Sequence, residues 1–543
     1  MVRRMVWIAA SVLLLQACAS DDARDVQIGG ASGTELAAVQ VLRWANGSEP
    51  QSLDPHKAEG VPESNIQRDL FEGLIEEAAN GDLVAGSASS WEISDEGTRY
   101  VFDLRRDARW SNGDPITADD WVYGFQRSLD PATGSRYTFI LEPIVNAIPV
   151  SRGTLPVDEL GVRALDDYTL EIRLESSTPY FLGLLTHSAS YPMHRASVEA
   201  HGDRVTRPGN YVTNGAYRLV EWVAQSHVKL ERNPYYWDDA STTIDEVYYY
   251  AQENRVAEIS RYRADEIDIS YTDLPVSQLD WIMANLRDEL VVAPYLGSYY
   301  YGFNLTKAPF KGNLALRKAL ALAIDRDIIT KQIRKAGEIP AFGWVPPVIN
   351  YQGQRMPEAE WTQAEREAEA KRLYVQAGYS DANPLRTEIL YNTEESHRAI
   401  AIAIASMWKQ VLGVETTIVN QEWKVYLDTR RQKIDTQVYR AGWIGDYNDA
   451  NTFASMYVST SGLNDPGYAN PRYDELIYLA AAESDLEQRA QYLEEAERVL
   501  LADLPIIPLY FYVTTRLVKP WVAGLEPNIM NHHHSKHLRI LAH

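Results

Sequence analysis

Cysteine is almost absent. Cys18 is the only thiol in 543 residues, so neither an internal disulfide nor a cysteine-based metal site can form. Positive charge is short as well: 52 Lys and Arg face 75 Asp and Glu, for a formal net charge of −23. Nucleic acid and anionic membrane surfaces are approached with Lys and Arg, so both are excluded as main partners. The short basic cluster Arg430, Arg431 and Lys433 is accounted for by a solvated loop. Past the first twenty residues no apolar run is long enough to span a bilayer, which takes ~20 residues. There is no Gly-rich phosphate loop of the Walker type, no HExxH zinc pattern and no GxSxG elbow. Without a reaction centre, a binding protein is expected rather than an enzyme, and no cofactor.

Tyrosine and tryptophan are plentiful, 33 and 14 against only 10 Phe. These amphipathic rings suit surfaces that offer a flat apolar body and a polar tip together. The N-terminus reads MVRRMVWIAASVLLLQACAS: a basic n-region at Arg3 and Arg4, an apolar stretch from Met5 to Leu15, then Leu15-Gln16-Ala17-Cys18. This is a secretory signal. Its last four residues resemble the lipobox of bacterial lipoproteins, in which the cysteine is lipid-modified after cleavage. Residues 1–18 are therefore expected to be a lipoprotein signal peptide, and residues 19–38, rich in Ser, Asp, Gly and Ala, a flexible tether. The protein is placed in the cell envelope, held to a membrane by the lipid on Cys18 alone.

At this length two or three lobes are expected. Residues 40–305 mix strands with short helices. YVFDLR (100–105) and YTLEIRL (168–174) alternate as half-buried strands do, and GAYRLVEWV followed by HVKLERN reads as a hairpin. From 313 the helical signals lengthen. A long helix is expected to stop at Gly337, Thr362 to Glu365 forms a capping box, and Asp485 to Gln488 repeats it. Strands 386–392, 415–421 and 505–513 separate these helices, so a second α/β lobe follows. Two unequal lobes imply a cleft, where small-ligand sites tend to lie.

Within YRAGWIGDYNDANTF, residues 439–453, Arg440 and Asp446 stand six positions apart among Trp443, Tyr447 and Phe453. A structural salt bridge and a pair of ligand receptors are both open on these residues alone. Six extended residues reach at most ~20 Å, so the two charges can sit well apart. His532, His533 and His534, with His537 nearby, lack an acidic or cysteine ligand at rigid spacing, and a solvated C-terminal segment is expected there rather than a metal site.

The segments ANGSEPQSLDPHKAEGVPESNIQRDLFEGLI (45–75) and RRDARWSNGDPITADDWVYGFQR (105–127) resemble the periplasmic oligopeptide-binding proteins of ABC importers. RPGNYVTNGAYRL, ERNPYYW, PYLGSYYYGFN, ALALAIDRDII, NQEWKVYLDTRR and RAGWIGDYND continue the match in order, over about residues 40–525. The resemblance implies an α/β, two-lobed periplasmic binding protein of the large three-domain peptide-binding class, with mixed sheets and hinge closure around the ligand. Domain I would comprise 39–61, 196–297 and 514–543, domain II 62–195, and domain III 298–513. It also implies a monomer that takes short peptides, of roughly two to five residues, and hands them to a membrane permease.

A site that tolerates many side chains must hold what does not vary, the extended backbone and the two charged ends. Asp446 matches the family's acid for the peptide α-amino group, and Arg440 its base for the carboxylate of a tripeptide, which a guanidinium can grip bidentately. His397 and Arg334 match positions that meet carboxylates of peptides of other lengths. Glu49, Trp423, Gly442, Trp443, Tyr271, Tyr295, Tyr300 and Tyr512 match groove positions, and Arg430 a side-chain pocket. Enteric members of the family carry two cysteines that tie the PYLGSYYY and GWIGDY segments together. Here Gly297 and Ile444 stand at those positions, and Gly302 replaces a Glu. A receptor for murein peptide remains as an alternative, to be decided by Arg430 and the pockets. An envelope chaperone or adhesive lipoprotein using the clamp without a permease is another.

Overall fold

The computed structural model describes residues 34–348 and 351–543. The signal peptide, Cys18 and most of the expected tether lie outside the described residues. Its last part does not: Ala37 N–H donates to the Ile540 carbonyl at 2.9 Å, and Leu36 bridges Leu541. The chain is thus fastened to its own C-terminal segment from about residue 35, earlier than the boundary at 38.

Period-two alternation produces three main sheets. The first runs Val41–Ala45, Glu246–Tyr250, His227–Arg232, Tyr217–Val223, with a parallel first pair and antiparallel neighbours after it. The second is antiparallel throughout, in the order Ala88–Ser94, Arg99–Leu104, Thr169–Arg173, Val162–Asp166. Helix Ala118–Leu129 packs on it by burying Trp121, Phe125 and Leu129, four residues apart, and is started by a reciprocal Thr117–Asp120 cap. These two sheets share one continuous apolar core.

The third sheet, in the order Ile339–Pro340, Ile506–Leu517, Leu290–Phe303, Val438–Ile444, Arg386–Asn392, Glu415–Gln421, has its own core. Helix Glu395–Leu412 lies against it through Ile400, Ala401, Ile404 and Trp408, a 3.6-residue stripe, and ends at Gly413 in the left-handed conformation, φ +73°. Two long antiparallel strands, Leu290–Phe303 and Ile506–Leu517, run from one core into the other, Val291 lying in the first and Phe303 in the second. Their register shifts between Pro294 and Ser298, opposite Val513 and Phe511.

Two expectations are corrected. The long helix after residue 313 breaks: Leu314–Leu322 is helical, Asp325 then caps a new segment through the N–H groups of Asp327 and Ile328, and Ile328–Arg334 forms a wide π turn. Arg326 causes the break by turning inward, where its Nε donates to the carbonyls of Ala341 (2.7 Å) and Pro508 (2.9 Å). The turn is closed by Lys335 at φ +60°, two residues before Gly337. The histidines near the C-terminus do not form a solvated tail: His534 is buried, and His532, His533 and His537 are half-buried. His532 Nδ1 meets Glu77 at 2.6 Å, His534 is 4 % exposed beside Glu76, and burial pushes both imidazoles toward the neutral form. Among the described residues no cluster of His, Cys, Asp and Glu could hold a metal ion, and no helix is long and apolar enough to cross a membrane.

Candidate functional site

Strand Val438–Ile444 lies inside the third sheet, between Leu290–Phe303 and Arg386–Asn392, and its two faces separate the residues it carries. Tyr439 and Ala441 face the core under Trp344. Arg440 faces the other way, its guanidinium 4.9 Å over the Tyr299 ring. Asp446 follows just past the strand's end, where Asp446 N–H donates to Thr452 Oγ1 at 3.3 Å.

Asp446 lines a cavity of ≈1310 Å³ between the lobes. Trp443, Tyr295 and Tyr447 line it with Asp446, and Arg68, Tyr137, Tyr180 and His187 line it from the N-terminal half. Among the described residues the Asp446 carboxylate forms no ion pair, with Arg440 or any other cation, so the private salt bridge left open above does not form. Burial alone pushes its carboxyl up to about 7. Tyr137, across the cavity, is raised to about 12 by burial and by the Asp446 charge. At the rim Tyr180 stacks on Tyr447, centroids 5.0 Å apart and planes within 8°. Arg489 caps this stack from 5.1 Å while held bidentately by Asp449 at 2.7 and 2.8 Å.

Arg440, His397 and Tyr512 gather around Tyr299. The Tyr512 ring meets Tyr299 edge-on at 6.1 Å, and the Tyr299 hydroxyl lies 3.3 Å from His397 Nδ1. Arg440 Nη1 donates to Asn392 Oδ1 at 3.0 Å, and its main-chain carbonyl accepts from the Tyr426 hydroxyl. Among the described residues no carboxylate reaches ion-pair distance of Arg440. His397 is held by Glu394 at 2.7 Å and lowered by burial against that attraction. Glu394, despite burial, is brought down to about 2 by His397, with Ser396 and Arg440 adding to the effect. The cavity wall thus offers a lone carboxylate at Asp446, while Arg440, which carries no ion pair among the described residues, lies with His397, Tyr299 and Tyr512 outside the residues that line it.

The other expected residues stand elsewhere. Arg334 is occupied, with Nε 2.6 Å from Glu338 and Nη2 3.0 Å from Asp273. Arg430 is paired with Asp465 at 2.6 Å. Glu49 accepts from Trp222 Nε1 (2.7 Å) and Gln225 N–H (2.9 Å), which pins the hairpin instead of facing the cavity. Tyr300 points into the core, 1 % exposed and edge-on to Trp344. Trp423 is 48 % exposed and stacks on Tyr426. Tyr271 lies under Arg255 at 4.2 Å, and Gly442 leaves room for the Tyr512 hydroxyl. Gly297 and Ile444 are direct partners in the ladder, and the Ile444 side chain fills the space a Cβ on Gly297 would need. Gly302 likewise abuts the Tyr439 ring, which takes the room of any longer side chain.

Tyr137 and Tyr180 were not anticipated. They come from the second sheet's lobe, some 300 residues before Asp446, and no local pattern marks them. Tyr299 is the strand neighbour of Tyr300 on the opposite face, and only the parity of the strand separates the two.

A two-lobed α/β clamp around an inter-lobe cavity is the architecture of extracytoplasmic solute-binding proteins. The chain belongs to the bacterial extracellular solute-binding proteins, family 5, whose central region matches residues 82–465. It is similar to the periplasmic oligopeptide-binding protein OppA of Salmonella typhimurium, 44 % identical over 523 residues and covering 95 % of each chain. The periplasmic murein peptide-binding protein MppA of Escherichia coli is 39 % identical over 500 residues, covering 92 % of each. Among solved structures, Haemophilus influenzae OppA in complex with the peptide RPPGFSPFR superposes with a TM-score of 0.81 at 40 % identity, covering 94 % of this chain and 100 % of the other. The Escherichia coli murein tripeptide-binding protein MppA gives 0.82 at 38 %, with the same coverage.

Proposed function

We propose that the protein is an extracytoplasmic receptor of an ABC importer that captures short peptides in the inter-lobe cavity and delivers them to a membrane permease. The observation that carries this reading is the Asp446 carboxylate, unpaired and lifted to about 7 on the wall of a ≈1310 Å³ cavity. Leaving an anion in such a place is costly unless a cation arrives. A peptide ammonium is that cation. Arg440, without a carboxylate of its own, receives the other end, and the backbone between them lies along the groove. The lobes close about the register shift at Pro294 to Ser298, where the ladder between the two long strands is interrupted. The protein acts as a monomeric receptor rather than an enzyme, anchored in the periplasm through lipid on Cys18.

A murein-peptide receptor is less favoured, because Arg430, the residue expected to decide between the two, is neutralised by Asp465. A clamp that works without a permease has no observation in its favour. Mass spectrometry of ligands released by denaturing the purified protein tests all three. Mixed short peptides are expected, a single murein fragment would replace this reading with the second, and an empty cleft would reject it.

Arg440→Ala is expected to weaken tripeptides by about 2–3 kcal/mol and longer peptides by less, because their carboxylates end beyond it. Calorimetry on a length series checks this. Equal losses at every length would remove Arg440 from the role.

A further inference from the structure

Arg516 on strand Ile506–Leu517 is a buried cation without a counter-charge. It is 5 % exposed, and among the described residues no carboxylate reaches ion-pair distance of its guanidinium. Nη2 donates to Asn531 Oδ1, which also lies 3.3 Å from His533 Nε2. Nη1 is buried with no protein acceptor. Trp44 offers its ring face from 5.8 Å, a partial substitute for an anion at best. Burial drives the guanidinium down to about 10, opposed by Tyr271 and Tyr295. For a group that ordinarily keeps its proton beyond 12, that is the cost of taking the charge out of water.

Beside this guanidinium is a cavity of ≈10 Å³, lined by Trp44, Asn65, Tyr271, Thr272, Asn531 and His533. Its walls hold no carboxylate. Space on this scale admits one water-sized species and excludes a carboxylate, a phosphate or a sulfate. Val61, Asn65 and Asn531 also line the ligand cavity, so the small chamber lies directly beneath the groove floor.

We propose that this chamber is a monatomic anion site, holding a chloride-class halide ion against Arg516 Nη1 under the peptide groove. The charge requires an anion, the size requires a single atom, and the polar walls of Asn65, Thr272 and Tyr271 supply the rest of its shell. With the ion in place the Arg516 charge is compensated beneath the groove floor. A peptide side chain crossing above it then meets no unshielded charge from Arg516, which suits a site that must accept acidic, basic and apolar residues alike. This goes beyond the capture of peptide ends by Asp446 and Arg440 and stands or falls without it.

Thermal unfolding in sodium chloride against sodium gluconate at equal ionic strength tests the proposal on the unaltered protein. Chloride and bromide are expected to raise Tm by about 2–4 °C at 200 mM, and gluconate, too large for the chamber, to give no such rise. Crystals soaked in bromide are expected to show an anomalous peak within hydrogen-bonding reach of Arg516 Nη1. The halide dependence is expected to disappear in Arg516→Met, which keeps most of the side chain's apolar length. A Tm indifferent to halide together with a chamber free of anomalous signal overturns the proposal in favour of an ordered water, whatever the variant does. Failure here leaves the released-peptide experiment untouched, so the two readings are judged separately.

Discussion

Asp446→Ala is expected to weaken binding of peptides with a free α-amino group by about 2–5 kcal/mol, while N-acetylated peptides, already poor ligands, change little. The size follows from what the substitution leaves behind, an ammonium enclosed without a partner. Because the empty site holds the Asp446 carboxyl near 7, capture must first expel a proton below that pH. Affinity should then fall by a factor approaching ten for each unit below about 7, with one proton released on binding. It should fall again above about 8, where the peptide's own amine loses its charge.

Stability runs in the opposite sense. The folded pKa of Asp446 lies above its unfolded value of 3.8, so the folded state holds this proton more tightly. That contribution is present below 3.8 and is lost as pH rises through about 7. Asp446→Asn should therefore stabilise the ligand-free protein at pH 8, by roughly 1–3 kcal/mol, and do less at pH 5. A single residue would thus weaken the empty clamp in order to grip the filled one. Calorimetry in which free and N-acetylated peptides bind the wild type equally well would sink the assignment.

Much of this architecture was legible because its determinants are local. Strands Arg386–Asn392 and Glu415–Gln421 occupy the expected residues, since alternation and flanking turn residues are contained in each window. The Thr362–Glu365 cap formed as its pattern demands, while Asp485 caps Gln488 N–H from its side only. Other features were decided across the chain. Arg326 breaks a helix by reaching the carbonyl of Pro508, and His532 is drawn inward by Glu77, 455 residues away. Asp465, 35 residues on, neutralises Arg430. Parity was the remaining ambiguity. Tyr299, Tyr300 and Tyr301 are consecutive in one strand, and nothing local says which of them faces Arg440 and which the core. The pair Arg440 and Asp446 was the part of the site that fifteen residues could suggest, whereas the wall opposite, Tyr137 and Tyr180, needed the folded chain.

Arg334 was expected to meet the carboxylate of peptides of other lengths, and its surroundings lead to a different prediction. Its guanidinium already touches two carboxylates, and the Glu338 side chain is 1 % exposed. Glu338 Oε2 also accepts from Ala336 N–H at 3.1 Å, so the acid cannot swing out to water without breaking the turn after Arg334. Asp273 belongs to the segment that precedes the long strands, so the triad ties the two lobes together near their crossing. Arg334→Met would leave Glu338 buried with its charge uncompensated, at a cost of about 3–5 kcal/mol. The double substitution Arg334→Met with Glu338→Gln removes both charges and should recover most of the loss, since the pair itself contributes little net stability once its desolvation is counted. Urea unfolding of the three proteins checks this directly. Should Arg334→Met unfold at the wild-type midpoint and weaken only the longer peptides, the triad is dispensable and Arg334 is a ligand receptor after all.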